Sequence, residues 1–233
     1  MIKQLTPNIP DYELLDTGDG EKLERFGDYV VRRPEPQAIW RKSLSEGKWL
    51  AADASFLRSN KGEESGEWRL KPEMPSRWTV KFDYKEMHLR MRLALTSFKH
   101  VGIFPEQSAN WEFIYDTIHD LRKEGIERPK VLNLFAYTGG ATLAARAAGA
   151  DVTHVDSVKQ VVTRARENME SASLGVVRWV GEDATKFVER EVRRGNKYHG
   201  IILDPPAYGR GANGEKWVLE DDICNMLEQC AKL

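Results

Sequence analysis

The chain has 233 residues, 41% hydrophobic and 30% charged, which suits one or two globular domains with cores of their own. A net charge of −1 gives no overall field toward nucleic acid or an anionic membrane, so only local patches are left for such contacts. No apolar run is long enough to span a membrane, no secretory signal pattern opens the chain, and neither Cys224 and Cys230 nor the scattered histidines have disulfide or metal-ligand spacing, which points to a reduced, metal-free, cytoplasmic protein.

Residues 1–104 read as a small antiparallel β-rich domain. Turn chemistry at Gly18-Asp19-Gly20 and Gly27-Asp28 punctuates short extended segments, with a strand over 29–31. The polar stretch SNKGEESGE (59–67) reads as an exposed loop. In WTVKFDY (78–84), alternation puts Trp78, Val80, Phe82 and Tyr84 on one face. In MHLRMRLAL (87–95) it sets Met87, Leu89, Met91, Leu93 and Leu95 against His88, Arg90 and Arg92. Period two on both sides of Lys85-Glu86 predicts a hairpin. Its polar side, with Arg77, Lys81, Lys85 and Lys99, is the locally basic region. That region is either an RNA-backbone contact or a solvated charged face, and Arg32-Arg33 and Arg41-Lys42 are candidate extensions of it.

From residue 105 to 233 the pattern becomes an alternation of helix and strand. Apolar residues at 111, 114, 115, 118 and 121 predict a helix over 110–125, ended by Gly125. Strands follow at 130–135, 151–155, 175–180 and 198–204, with helices at 140–148, 157–172 and 183–196, and one more helix after residue 218. This order predicts right-handed βαβ units and a parallel sheet. Ligands of such sheets gather beyond the carboxyl ends of the strands, where the strand order reverses. The residues to watch are therefore Asn133 to Gly140, Asp156, Asp183 and Asp204-Pro205-Pro206.

Small residues crowd the turn after the first of these strands (Ala136, Thr138, Gly139, Gly140 and Ala141), as though backbone must approach something other than protein. Phe135 and Tyr137 stand where a G-x-G-x-x-G fingerprint needs glycine, so a dinucleotide is disfavoured and an adenosine without phosphates is expected. A carboxylate at Asp156 suits the vicinal hydroxyls of a ribose; equally, Asp156 or Ser157 caps the next helix. Asp183 has the same two readings, an acceptor for an adenine amino group or a cap. In DPPAYG (204–209) two prolines fix a stiff extended elbow that presents the Asp204 carboxylate and the Pro205 carbonyl, beside a flat Tyr208 ring suited to stacking.

Together these residues resemble the Rossmann-like S-adenosylmethionine-dependent methyltransferases, specifically the ribosomal large-subunit RNA methyltransferases, in which N-x-F-x-Y-T-G-G replaces the more common D-x-G-x-G. The match covers roughly residues 103–223. It implies a doubly wound Rossmann-like sheet, S-adenosyl-L-methionine as cofactor, and methylation of a nucleobase in ribosomal RNA. It also implies the methionine part of the cofactor over Asn133, Phe135, Ala136, Tyr137, Thr138 and Gly139, the ribose on Asp156 beside Ser157, the adenine by Asp183 and Ala184, and chemistry at Asp204, Pro205, Pro206 and Tyr208. GIFPEQSANW (102–111) is similar to a G-x-F-x-D-Q-R stretch of the same family; Gln107 matches and Ser108 replaces the arginine. The family's sheet carries further strands beyond the four read here. A sheet incomplete at its C-terminal side is therefore expected, with an apolar edge at 198–204 through which copies self-associate. An acceptor other than RNA, and a fragment that binds the cofactor without turnover, are the alternative readings. No cysteine lies in the elbow to activate carbon 5 of a pyrimidine, so the target atom stays open.

Overall fold

The computed structural model describes residues 9–58, 66–211 and 214–233. These described residues fall into two compact units, divided so that 9–83 and 90–108 belong to one and 84–89 and 109–233 to the other. The first contains a five-stranded sheet of β1 (Tyr12–Gly18), β2 (Glu21–Phe26), β3 (Tyr29–Pro34), β4 (Ala54–Arg58) and β5 (Gly66–Leu70), hydrogen-bonded in that order. The sheet is not wholly antiparallel as expected, because β3 and β4 pair in parallel at Val31–Ala54 and Arg32–Ser55. Parallel neighbours need a crossover, and the connection carries a short helix, α1 (Glu46–Leu50). The expected strand at 29–31 extends to Pro34. Of the expected 59–67 loop, 59–65 lie outside the described residues, while Gly66 and Glu67 open β5.

The hairpin forms as read, β6 (Arg77–Tyr84) against β7 (Met87–Ala94), with Lys85 at φ +50° in its turn. Val80, Phe82, Met87, Leu89, Met91 and Leu93 are buried, whereas His88 and Arg92 are exposed. Most of the cations proposed to extend its basic face are already committed. Arg32 makes a bidentate pair with Glu21 at 2.7 Å, and Lys42 reaches the same carboxylate at 2.7 Å. Arg33 is buried with Glu24 in a two-point ion pair at 2.5 and 2.9 Å, to which Tyr12 adds a hydroxyl donor at 3.1 Å. Only Arg41 of the four is left exposed with no such pair among the described residues.

The second unit contains α2 (Ser108–Lys123), less its first residue, and then β8 (Lys130–Leu134), α3 (Gly140–Ala147), β9 (Asp151–Asp156), α4 (Lys159–Ser171), β10 (Arg178–Gly181), α5 (Ala184–Arg193) and β11 (Gly200–Leu203). After β11 come a short hairpin, β12 (Tyr208–Arg210) and β13 (Lys216–Val218), and α6 (Leu219–Cys230). The four long strands form one sheet, ordered β10-β9-β8-β11, with every pairing parallel. β8 and β9 are buried on both faces, their polar Asn133, Thr153 and His154 included. Asn133 and His154 face α3, while Leu132, Leu134 and Val155 join Phe187 and Val188 of α5 and Met226 and Cys230 of α6 in a core on the opposite face. This is the doubly wound α/β arrangement expected.

The element order from α2 to β11 matches the sequence reading, with shifted ends, whereas the β12–β13 hairpin before α6 was not read from it. The strand expected at 175–180 starts at Arg178, because Gly175 and Val176 are exposed, Val176 at 85%. β11 lies at the sheet edge and pairs only with β8 among the described residues. Its residues are half-buried, and Ile201 and Leu203 pack into the α5–α6 core, so that face of the edge strand is covered.

In the first unit, Arg33→Met leaves the buried Glu24 with only Lys22, at 3.9 Å, as a counterion. A loss of about 3–5 kcal/mol is expected, read from the denaturant midpoint. Burial by itself raises the Glu24 carboxyl, but Arg33 reverses this and holds it below the ordinary range. The stabilisation from that shift is therefore complete above roughly pH 4.3, the ordinary glutamate value, and is lost as pH falls through the lower folded value.

Candidate functional site

The strand order places a switch point in the second unit. The chain moves from β8 outward to β9 and β10, then returns to lay β11 on the other side of β8. Connections from β8 and β11 leave in opposite directions, and a crevice opens beyond their carboxyl ends. The segments bounding it are 135–139 after β8 and Asp204-Pro205-Pro206 after β11. Asp156 and Asp183 stand at the ends of the neighbouring strands.

The 135–139 loop carries conformational strain. Phe135 and Tyr137 hold φ of +52° and +49°, and Gly139 holds +89°, with Ala136 and Thr138 between them on the negative side. Left-handed backbone is uncommon for aromatic residues and persists only where surroundings enforce it. Those surroundings are specific. The Tyr137 amide donates to Asp156 Oδ2 at 2.9 Å, the Ala136 amide to the Val155 carbonyl at 3.1 Å, and the Gly139 amide to the Ala136 carbonyl at 3.1 Å. Asn168 of α4, fully buried, donates from Nδ2 to the Thr138 carbonyl at 3.0 Å.

Two of the small residues of this turn have a packing reason within the protein. A Cβ on Gly139 would meet the Ala165 Cβ at 3.1 Å, and one on Gly140 would lie 2.4 Å from the Trp111 ring. Gly139 thus packs against α4 and Gly140 against α2.

Asn133 lies inside the sheet. It is buried and donates to Thr142 Oγ1 at 2.9 Å, and that hydroxyl is 2.9 Å from His154 Nδ1. Burial pushes the His154 imidazole down to about 3, so it is neutral at physiological pH and serves as a neutral partner of Thr142. This chain fixes α3 to β8 and β9 directly beneath the strained loop.

The acids divide by role. Asp156 uses both oxygens on backbone, Oδ2 for Tyr137 and Oδ1 for the Val158 amide at 2.9 Å. Burial raises its carboxyl, against the lowering effect of those two amides. The helix starts two residues later than expected, at Lys159 with Val158 at the cap position, and neither Asp156 nor Ser157 is its cap residue. Asp183 is an N-cap, its Oδ1 accepting from the Lys186 amide of α5 at 3.0 Å, and Ala184 is the buried first residue of that helix. Each carboxylate oxygen has a second lone pair left for a hydroxyl or amine donor.

The elbow is braced by a residue outside the sequence reading. Trp217 of β13 is buried, donates from its indole to the Pro206 carbonyl at 2.8 Å, and packs its ring on Phe135 with centroids 4.8 Å apart. One side chain thus ties the loop after β8 to the elbow after β11. The Ala207 carbonyl accepts from the Leu219 amide at 2.9 Å, which secures the elbow to α6. Asp204 is exposed, but the protein around it still raises its carboxyl through partial desolvation. Tyr208 is 51% exposed and its hydroxyl accepts from Arg210 Nε at 2.8 Å, leaving the ring face open.

The amides of Ala136, Tyr137 and Gly139 are spent within the protein. The segments that follow the strands carry carboxylates, a carbonyl and an aromatic ring, groups suited to hydroxyls, amines and a cationic centre. S-adenosylmethionine, a ribonucleoside bearing a sulfonium and an amino acid, meets that description.

The sequence pattern of S-adenosylmethionine-dependent methyltransferases matches residues 38–233. The chain belongs to that family. It is similar to a structure of an S-adenosylmethionine-dependent methyltransferase from Agrobacterium tumefaciens, at 41% identity and a TM-score of 0.87, covering 97% of this chain and 70% of that one. It is also similar to the ribosomal RNA large subunit methyltransferase K/L of Shewanella frigidimarina, 24% identical over 97% of this chain and 33% of the relative. The ribosomal RNA large subunit methyltransferase I of Escherichia coli is 34% identical over 36% of this chain and 22% of its own length. The chain thus spans a third or less of these curated relatives. Among the described residues no cluster of His, Cys, Asp or Glu is suited to a metal, and no helix is long and apolar enough to cross a membrane.

Trp217→Phe keeps the ring against Phe135 but removes the donor to the Pro206 carbonyl. The expected cost is about 1–2 kcal/mol in the denaturant midpoint, the range for one part-buried group left unpaired. An unchanged midpoint would show that the elbow holds itself.

Proposed function

We propose that this family member is a cytoplasmic enzyme that binds S-adenosylmethionine across the carboxyl ends of its parallel sheet and methylates a nucleobase in ribosomal RNA. The observation that carries this reading is the strained 135–139 loop, pinned by Asp156 and Asn168 and joined through Trp217 to the Asp204-Pro205-Pro206 elbow. The names of the curated relatives supply the RNA part.

In this reading Ala136, Tyr137, Thr138 and Gly139 form the floor for the methionine portion, with Phe135 holding the loop on Trp217 and Asn133 supporting it from inside the sheet. Asp156 and the neighbouring Ser157 receive the ribose hydroxyls, and Asp183 with Ala184 borders the adenine. The cofactor supplies an electrophilic methyl group, whose displacement at carbon depends on in-line alignment of the acceptor. The chain's contribution is positioning. The Asp204 carboxylate and the Pro205 carbonyl accept hydrogen bonds from an exocyclic amine, Pro206 keeps the elbow rigid, and Tyr208 stacks on the base. An ionised Asp204 is the form that accepts these bonds.

Two substitutions separate cofactor capture from transfer. Asp156→Ala is expected to weaken S-adenosylmethionine binding by about 1.5–3 kcal/mol in calorimetry, the range for charge-assisted hydrogen bonds. Asp204→Ala is expected to leave that affinity nearly unchanged while lowering radiolabelled methyl transfer to ribosomal RNA by at least ~100-fold. Because the Asp204 carboxyl is raised, the wild-type rate should fall on the acid side at a pH above the ordinary aspartate value of about 3.9. Normal turnover by Asp204→Ala would remove the elbow from the chemistry. Cofactor binding without transfer to any RNA by the wild-type chain would leave a binding module.

A further inference from the structure

The parallel strands of the second unit have another end. β8 starts at Lys130, β9 at Asp151 and β10 at Arg178, so these residues share the amino edge of the sheet. At about 3.3 Å per residue, that edge lies ~15–20 Å from the crevice just described. A cleft of about 650 Å³ opens along it, within the span of small-molecule sites, roughly 300–1,000 Å³. Its lining includes the cations Arg128, Lys130, Arg146, Arg178 and Lys197, against the carboxylates Asp151 and Glu191. In a chain whose net charge is −1, this is a local reversal of sign.

Two of these cations act against carboxylates: Arg128 pairs with Asp151 at 3.0 Å, and Arg178 acts on Glu191. Arg146 instead donates from Nη1 to the Ala150 carbonyl at 3.0 Å, and Lys197 to the Lys232 carbonyl at 2.5 Å. A carbonyl orients a cation and leaves its charge in place. The Arg146 Nε is buried with no hydrogen-bond partner among the described residues. A Cβ at position 175 would come within 2.5 Å of its Nη2, so Gly175 leaves the guanidinium its room.

The opposite wall is built around a carboxylate whose charge is used internally. Glu191 of α5 is fully buried and accepts from the Asn196 amide and the Tyr198 hydroxyl, each at 2.7 Å. Burial raises its carboxyl, but these donors together with Arg178 and Arg194 bring it below the ordinary range. The wall is therefore fixed, and the rim is left with exposed Lys130, Arg178 and Lys197. Exposed cations beside a preformed cleft suit an anion with several oxygens, which takes charge-assisted hydrogen bonds from more than one of them.

We propose that this amino-edge cleft is a second binding site of the unit, for phosphate groups, supplied either by an RNA backbone or by a free phosphorylated ligand. It is separate from the transfer site and does not depend on the methyl-transfer reading.

The test uses the whole chain and two probes, a fluorescein-labelled single-stranded oligoribonucleotide in anisotropy and inorganic pyrophosphate in calorimetry. Lys130→Glu and Lys197→Glu alter exposed cleft residues, and Lys48→Glu, exposed on α1 in the other unit, is the control. Each cleft variant is expected to weaken at least one probe by ~10-fold or more, with the salt slope reduced by about one, while the control stays within about twofold. A loss confined to the oligoribonucleotide supports the proposal and assigns the cleft to backbone phosphates; a loss with pyrophosphate supports it and assigns a free ligand. Binding that falls no further in the cleft variants than in Lys48→Glu, or a wild-type chain that binds neither probe, overturns the proposal. S-adenosylhomocysteine affinity, expected to be unchanged in Lys130→Glu, keeps this outcome distinct from failure at the carboxyl-end site.

Discussion

The return of β11 to the far side of β8 is the constraint on which the second unit depends. A parallel sheet wound in one direction only would close its carboxyl edge with successive helix connections. Reversal beside β8 parts the connections and leaves the loop after β8 and the elbow after β11 facing a common crevice. The loop could not hold its shape alone, because it contains two aromatic residues in left-handed backbone, each costing on the order of 1–3 kcal/mol. The two prolines stiffen the elbow but do not fix where it lies against the loop.

What offsets that cost is a small set of hydrogen bonds from distant parts of the chain. Asp156 and Asn168 hold the loop from β9 and α4, and Trp217 holds the elbow from β13 while packing on Phe135. Each such bond contributes only about 0.5–1.5 kcal/mol net, or about 1.5–3 where a charged group takes part. Together they match the strain to within its own uncertainty, which makes the platform rigid and leaves each tie individually consequential. The Asn133–Thr142–His154 chain performs the same function one layer down, with a neutral imidazole in place of a charge that burial would penalise.

The order of elements in residues 109–233 was legible because the periodicities are strong and the strands are buried on both faces. Strand ends were less so: Val176 is apolar yet 85% exposed, and periodicity cannot distinguish it from the buried Val177 beside it. Asp156, Asp183, Asp204 and Tyr208 were legible as candidates because each follows a predicted strand. The partners that define them were not. Trp217 sits on a three-residue strand too short to show a period, and Asn168 reads as one more polar residue of a surface helix. Gly139 and Gly140 stood out for their size, but their packing on Ala165 and Trp111 was not legible, because these are long-range contacts that no local pattern reports. In the first unit, the parallel β3–β4 pairing rests on a two-pair register and escaped the antiparallel reading for the same reason.

If the carboxyl-end crevice holds the cofactor, backbone amide chemical-shift mapping with S-adenosylhomocysteine on the isotopically labelled chain will show its largest perturbations at 135–139, at 156–158, at 183–184 and around 204–208. The amino-edge residues Lys130, Asp151 and Arg178 will be unaffected by binding there. Perturbations centred on the amino edge, with the 135–139 amides unmoved, would contradict it.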